Sequence, residues 1–68
     1  MPYVNIRITD EQVTAKQKQA LIEGVTSLLE RVLNKPPATT FVVIDVVATD
    51  NWGVGGETVS ALRRRQGK

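Results

Sequence analysis

Val4, Ile6 and Ile8 alternate with Tyr3, Asn5, Arg7 and Thr9, the two-residue period of a strand with one apolar face. Asp10-Glu11-Gln12 interrupts that alternation and reads as a loop. Thr14, followed three residues later by Gln17, fits a capping box, so a helix is expected to start there. Leu21, Val25, Leu28, Leu29 and Val32 then fall at helical spacing and predict one apolar stripe. Lys16, Gln19, Glu23, Ser27, Glu30 and Arg31 mainly occupy the remaining surface. Asn34-Lys35-Pro36-Pro37 ends the helix, because neither proline continues it and each biases its predecessor towards extended backbone. Residues 39–47, Thr-Thr-Phe-Val-Val-Ile-Asp-Val-Val, are β-branched and almost continuously apolar, which suits a strand covered on both faces.

Strand, long helix, strand is a β-α-β unit, so the two strands are expected to be parallel with a right-handed crossover. Two strands and one helix cannot cover both faces of the second strand. Another copy of the chain is expected to do so. After the second strand, Trp52-Gly53-Val54-Gly55-Gly56-Glu57 places three glycines within residues 53–56 and predicts a small hairpin. It is not a phosphate loop, since no Lys-Ser/Thr pair follows the glycines. Residues 58–65 are expected to form a last helical turn or two.

With 68 residues the chain allows one domain, drawn here as residues 1–62 with a basic tail at 63–68. So short a chain is marginally stable alone, and it has no cysteine for disulfide staples and no histidine. Oligomerisation is the remaining staple. No apolar run reaches membrane-spanning length and no signal-type segment follows the start, so a soluble, cytoplasmic protein is expected. The pI near 9.4 invites a nucleic-acid reading. Arg63, Arg64, Arg65 and Lys68 hold four of the nine positive charges, however, leaving five positive against seven negative through Leu62. The basicity is a tail without interleaved aromatics, which argues against nucleic acid as a partner.

Met1-Pro2 leads straight into the first strand. A small second residue favours removal of the initiator methionine, which would leave the secondary amine of Pro2 as a terminus anchored by the strand. An α-amino group titrates near ~8, so modest desolvation makes it a base at neutral pH. The bland alternative is that proline is tolerated there because a first strand position needs no N–H. Asp45 is the one charge inside the apolar run and reads either as a buried partner to an arginine such as Arg7 or as a residue near the strand's open end, the pairing role being preferred. Trp52, the only tryptophan, either plugs a subunit interface or walls a small-molecule pocket; in an oligomer whose site lies between chains the two are compatible.

The Met1-Pro2 start, the β-α-β unit and Trp52-Gly53-Val54-Gly55-Gly56, in that order, resemble the tautomerase superfamily, and within it the small 4-oxalocrotonate tautomerase-like proteins. The resemblance covers essentially the whole chain. It implies an α+β fold, a β-α-β tautomerase fold with a short C-terminal hairpin, assembled as dimers into a homohexamer. It implies an isomerase that shuttles a proton in an enol or keto acid, or a related unsaturated carbonyl compound, with Pro2 as general base and neither cofactor nor metal. Thr9, Phe41 and Trp52 then fall at pocket-lining positions, Trp52 contributed from a neighbouring chain. Typical members also carry two arginines that hold substrate carboxylates and polarise the carbonyl. Here those positions carry Gln12-Val13 (or Asp10, allowing an insertion) and Phe41.

That departure points to a more apolar pocket and a less charged substrate, such as a phenylpyruvate-type enol. Arg7 and Lys16 are the nearest cations in sequence. Arg7 falls on the strand face opposite Val4, Ile6 and Ile8, towards a subunit interface, and is not taken as a replacement. Two other readings stay open. One is a hydratase- or dehalogenase-type relative, with Asp45, Asp50 or Glu57 activating water. The other is a non-catalytic ligand-binding or assembly module that kept the fold and lost the arginines.

Overall fold

The computed structural model describes residues 1–67. The elements are β1 (Tyr3–Thr9), α1 (Ala15–Leu33), β2 (Phe41–Val47), β3 (Gly53–Val54), β4 (Glu57–Thr58) and α2 (Val59–Arg65). Single 3-10 turns at Pro37–Thr39 and Thr49–Asn51 lead into and out of the β2 region. β1 and β2 pair in parallel, from Tyr3 opposite Phe41 to Thr9 opposite Val47. β3 and β4 form a separate antiparallel hairpin.

Local chemistry accounts for each boundary. At the start of α1 the Gln17 N–H donates to Thr14 Oγ1 at 3.1 Å and the Thr14 N–H donates to Gln17 Oε1 at 2.9 Å, the reciprocal capping box expected from sequence. At its end Asn34 adopts the left-handed conformation, φ 57°, and donates its N–H to the Glu30 carbonyl. Pro37 opens the following 3-10 turn, where its missing N–H costs nothing. The β1–α1 loop turns through Gln12, which also has a positive φ of 68°.

Val4, Ile6 and Ile8 of β1 and Val42, Ile44 and Val46 of β2 share the half-buried sheet face against which α1 packs. The stripe that α1 turns inwards differs from the expected one. Lys18, Ile22, Val25, Thr26 and Leu29 are its half-buried residues, whereas Leu21, Leu28 and Val32 are exposed, Val32 at 65%. The helix carries two apolar stripes sharing Val25 and Leu29. Spacing alone gave no reason to prefer the one that begins at Ile22, and packing against a two-stranded sheet is only wide enough for one.

On the other sheet face Tyr3 and Phe41 are 64% and 51% exposed, with Val43 beside them. Val59, at 4%, is the one buried hydrophobic among the described residues. The chain's accessible surface, 5077 Å², exceeds the about 4,200 Å² of a compact monomer of this mass. Its radius of gyration is 15.4 Å against roughly 11 Å for a globule of this length. Much of the apolar surface is thus arranged on defined faces without being enclosed.

Removing the Thr14 hydroxyl leaves an orphan N–H at the first turn of the longest element. Thr14→Ala is expected to cost about 1 kcal/mol, a fall in Tm of roughly 4–8 °C for a domain this size. Thermal unfolding at one fixed protein concentration checks it.

Candidate active site

β1 places the candidate residues in two groups. At its amino end Pro2 is half-buried, and its carbonyl accepts the Phe41 N–H at 2.9 Å, so the start of β2 is the backbone neighbour of Pro2. At its carboxyl end Thr9 lies opposite Val47, and the Asp10 N–H closes the ladder on the Val47 carbonyl at 2.7 Å. The seven residues of β1 separate the two ends by about 20 Å. One chain therefore brings Pro2 together with Phe41, and keeps Thr9 and Trp52 at the far end.

The carboxyl end opens into a cleft of about 300 Å³ lined by Arg7, Val47, Asn51, Trp52 and Gly53. Trp52 is half-buried there. Its carbonyl accepts the Val59 N–H at 2.8 Å, which fastens the strand-exit turn to the buried start of α2. Gly55 and Gly56, φ +60° and +86°, form the tip of the hairpin; positive φ at both central residues is the requirement of a type I′ turn. Thr58 then caps α2 by accepting the Ala61 N–H at 3.1 Å. The Trp52 glycine segment is thus a rigid bracket at the mouth of the cleft.

Thr9 is already engaged. Its hydroxyl donates to Glu11 Oε2 at 2.7 Å, and Arg63 Nε donates to Glu11 Oε1 at 2.7 Å, tying the β1–α1 loop to α2. α2 runs through Arg65, and Arg65 pairs with Glu57 at 2.8 Å. Asp45 lies across the sheet from Arg7, as the register requires. Arg7 Nη2 reaches its Oδ2 at only 3.5 Å, and Asn5 Nδ2 donates to the same oxygen at 2.8 Å. Asp45 is accordingly a cross-strand partner in this fold. At 65% and 45% exposure the Arg7–Asp45 pair contributes at most about 1 kcal/mol.

At the positions where arginines were expected from the resemblance, Gln12 is exposed on its positive-φ turn, Val13 is half-buried and Phe41 flanks Pro2. A second cleft, about 440 Å³ and mostly apolar, lies along α1 between Val13, Gln17, Ala20 and Leu21. From sequence Arg7 was set aside as an interface residue and Asn51 was not singled out; both line the cleft. Alternation along β1 sets Arg7 on the Thr9 face, but its place at the cleft follows from the pairing with β2 and the path of the chain beyond it. Among the described residues no helix is long and apolar enough to cross a membrane.

The parallel β-α-β unit followed by a glycine-tipped hairpin, with Trp52 at a cleft beyond β2, has the architecture that the sequence resemblance implied. The family profile described as "Tautomerase enzyme" matches residues 2–62, and the chain belongs to that family. A Dickeya dadantii protein named as a probable tautomerase is 62% identical over 65 residues, covering 96% of this chain and 97% of that protein. A 2-hydroxymuconate tautomerase of Pseudomonas putida is 34% identical over 64 residues, covering 94% of this chain and all of that one. The crystal structure of DmpI from Helicobacter pylori superposes with a TM-score of 0.85 at 46% identity, covering 93% of this chain and 97% of that one.

The bracket depends on its glycines. A Cβ at Gly56 meets no atom within 4 Å, so the penalty of Gly56→Ala is backbone strain alone, about 1–2 kcal/mol. The variant is expected to lower Tm and to red-shift the emission of Trp52. Fluorescence-monitored unfolding reads both changes.

Proposed function

We propose that this protein is a tautomerase in which Pro2, freed by removal of Met1, is the general base at a site completed between copies of the chain. Pro2 and Phe41 come from one copy, Thr9 and Trp52 from another. The substrate is an enol or unsaturated carbonyl acid with one carboxylate and an apolar, aromatic body. The observation that carries this reading is the anchoring of Pro2, half-buried at the amino end of β1, by the 2.9 Å bond from the Phe41 N–H to its carbonyl.

The chemistry follows from that placement. Moving a proton from an enol oxygen to carbon requires a base that is unprotonated near neutral pH and within hydrogen-bond reach of the proton. An apolar neighbour and exclusion of water disfavour the charged form of an amine and so hold Pro2 ready to accept. A secondary amine in a ring also has its lone pair fixed in direction, which lowers the ordering needed at each turnover. A substrate with two carboxylates would bring a second desolvated charge against Phe41 with nothing to offset it.

The assembly rests on the unfinished packing. Pairing two chains along a strand edge, in opposite directions, would set the amino end of one strand pair against the carboxyl end of another. The face bearing Tyr3, Phe41 and Val43 would still be exposed, so a dimer is not enough. A homohexamer of three dimers, with the sheets facing inwards, encloses those residues and closes the pockets.

Intact mass is expected to show loss of Met1, and kcat/KM for a phenylpyruvate-type enol to rise with pH through one ionisation near neutrality, as befits a base active when unprotonated. Pro2→Ala is expected to lower turnover on the order of 100-fold or more with the oligomer intact by light scattering. An unaltered rate in that variant would remove Pro2 as the base. Equal or faster turnover of a dicarboxylate enol would remove the apolar pocket. Absence of turnover on all enols in the processed protein would leave a binding module.

A further inference from the structure

We propose that Arg7 receives the substrate's single carboxylate at the Trp52 cleft, taking up the anion-binding task that Gln12 and Phe41 leave undone. This rests on the tautomerase reading above for what the bound acid then does. It revises the sequence-based view of Arg7 as an interface residue.

Among the described residues Arg7 is the only cation lining the cleft. Arg63 and Arg65 are held by Glu11 and Glu57 at 2.7 and 2.8 Å, and Lys16, Lys18 and Arg31 stand on α1. The hold on Arg7 is weaker: one contact from Nη2 to Asp45 Oδ2, at 3.5 Å, with the side chain 65% exposed. A guanidinium carries five N–H donors in a planar fork, and that contact uses one of them. A carboxylate entering the cleft can accept two of the others side by side, the stronger, charge-assisted arrangement.

Asp45 does not oppose this exchange strongly. Its Oδ2 keeps the 2.8 Å bond from Asn5 Nδ2, and Asn5 is itself held by the Val43 carbonyl at 3.1 Å. When the guanidinium leans towards the cleft, Asp45 remains hydrogen-bonded and partly solvated. The contact given up is a long one, 3.5 Å, made through a single nitrogen, so releasing it costs little. Asp45 and Asn5 therefore orient Arg7 without capturing it.

The rest of the lining selects the body of the ligand. Trp52 and Val47 offer an aromatic and an aliphatic wall, and Asn51 adds a neutral polar edge. One cation beside an aromatic wall suits a planar aromatic monocarboxylate. It does not suit a dicarboxylate, whose second charge would find no donor of equal strength.

Because Trp52 is the only tryptophan, its fluorescence reports occupancy of the cleft without any turnover. The Met1-processed protein is titrated with 3-phenylpropionate and with its neutral amide. The wild type is expected to prefer the acid by at least about tenfold, as a charged hydrogen-bonded pair does over a neutral one. Arg7→Gln is expected to abolish that preference and Arg7→Lys to keep part of it. Asp45→Asn, which leaves Arg7 in place and removes its competitor, is expected to strengthen binding of the acid. Equal binding of acid and amide by the wild type, or an acid preference that survives Arg7→Gln, overturns the proposal.

A kinetic arm separates this proposal from the base assignment. With an aromatic enol acid and its methyl ester as substrates, Arg7→Gln is expected to raise KM for the acid on the order of tenfold and to leave the ester unchanged. Pro2→Ala is expected to lower both turnovers on the order of 100-fold or more and leave the fluorescence preference intact. Acid preference without turnover in the wild type would sustain Arg7 and remove the tautomerase reading. Unaltered KM for the acid in Arg7→Gln, with Pro2-dependent turnover, would do the reverse.

Discussion

A two-stranded sheet backed by one helix has more apolar surface than it can enclose, and this constraint governs the rest of the molecule. β1 and β2 present Val4, Ile6, Ile8, Val42, Ile44 and Val46 to α1, and that face is covered by half. The opposite face, with Tyr3, Phe41 and Val43, is left exposed by the described residues, and so are Leu21, Leu28 and Val32 of α1. The fold is locally well specified, with capped helices, a fixed strand register and a glycine-tipped hairpin. It is globally open. Association would supply the hydrophobic burial that a chain of this length lacks.

The same geometry divides the chemistry. Strand length alone keeps the proline end of β1 about 20 Å from the Trp52 end. A chain with Pro2 at one end and its aromatic bracket at the other is suited to a site shared between copies. Stability and function would then depend on a single association. The bracket has to be stiff for such sharing, and the structure supplies this through the positive-φ glycines, the Trp52–Val59 backbone bond and the Thr58 cap. The Thr9–Glu11–Arg63 chain ties the adjoining loop to the same unit.

Much of the fold was legible because its signals are local. Thr14 and Gln17 satisfy each other's backbone within one helical turn, so their spacing was sufficient. Asn34 ahead of two prolines marked the stop, and paired glycines marked the hairpin tip. The inward face of α1 was not legible, because Leu21–Leu28–Val32 and Ile22–Val25–Leu29 are both regular apolar stripes. The period of a helix does not say which of two such stripes meets the sheet. The candidate site was half legible. Pro2, Phe41 and Trp52 stood out by chemistry and resemblance, while Arg7 and Asn51 belong to the cleft only through register and the path of the chain after β2.

What the sequence determined by itself were the elements, their order and the proline, since capping, turn formation and strand alternation each involve residues a few positions apart. The tertiary structure decided which side of α1 faces inwards, how far Pro2 lies from Trp52, and that Arg7 sits on the cleft with only a loose hold on Asp45. Those outcomes depend on distances between residues some forty positions apart in sequence. They are set when β2 pairs beside β1 in one register, and no local pattern encodes that register.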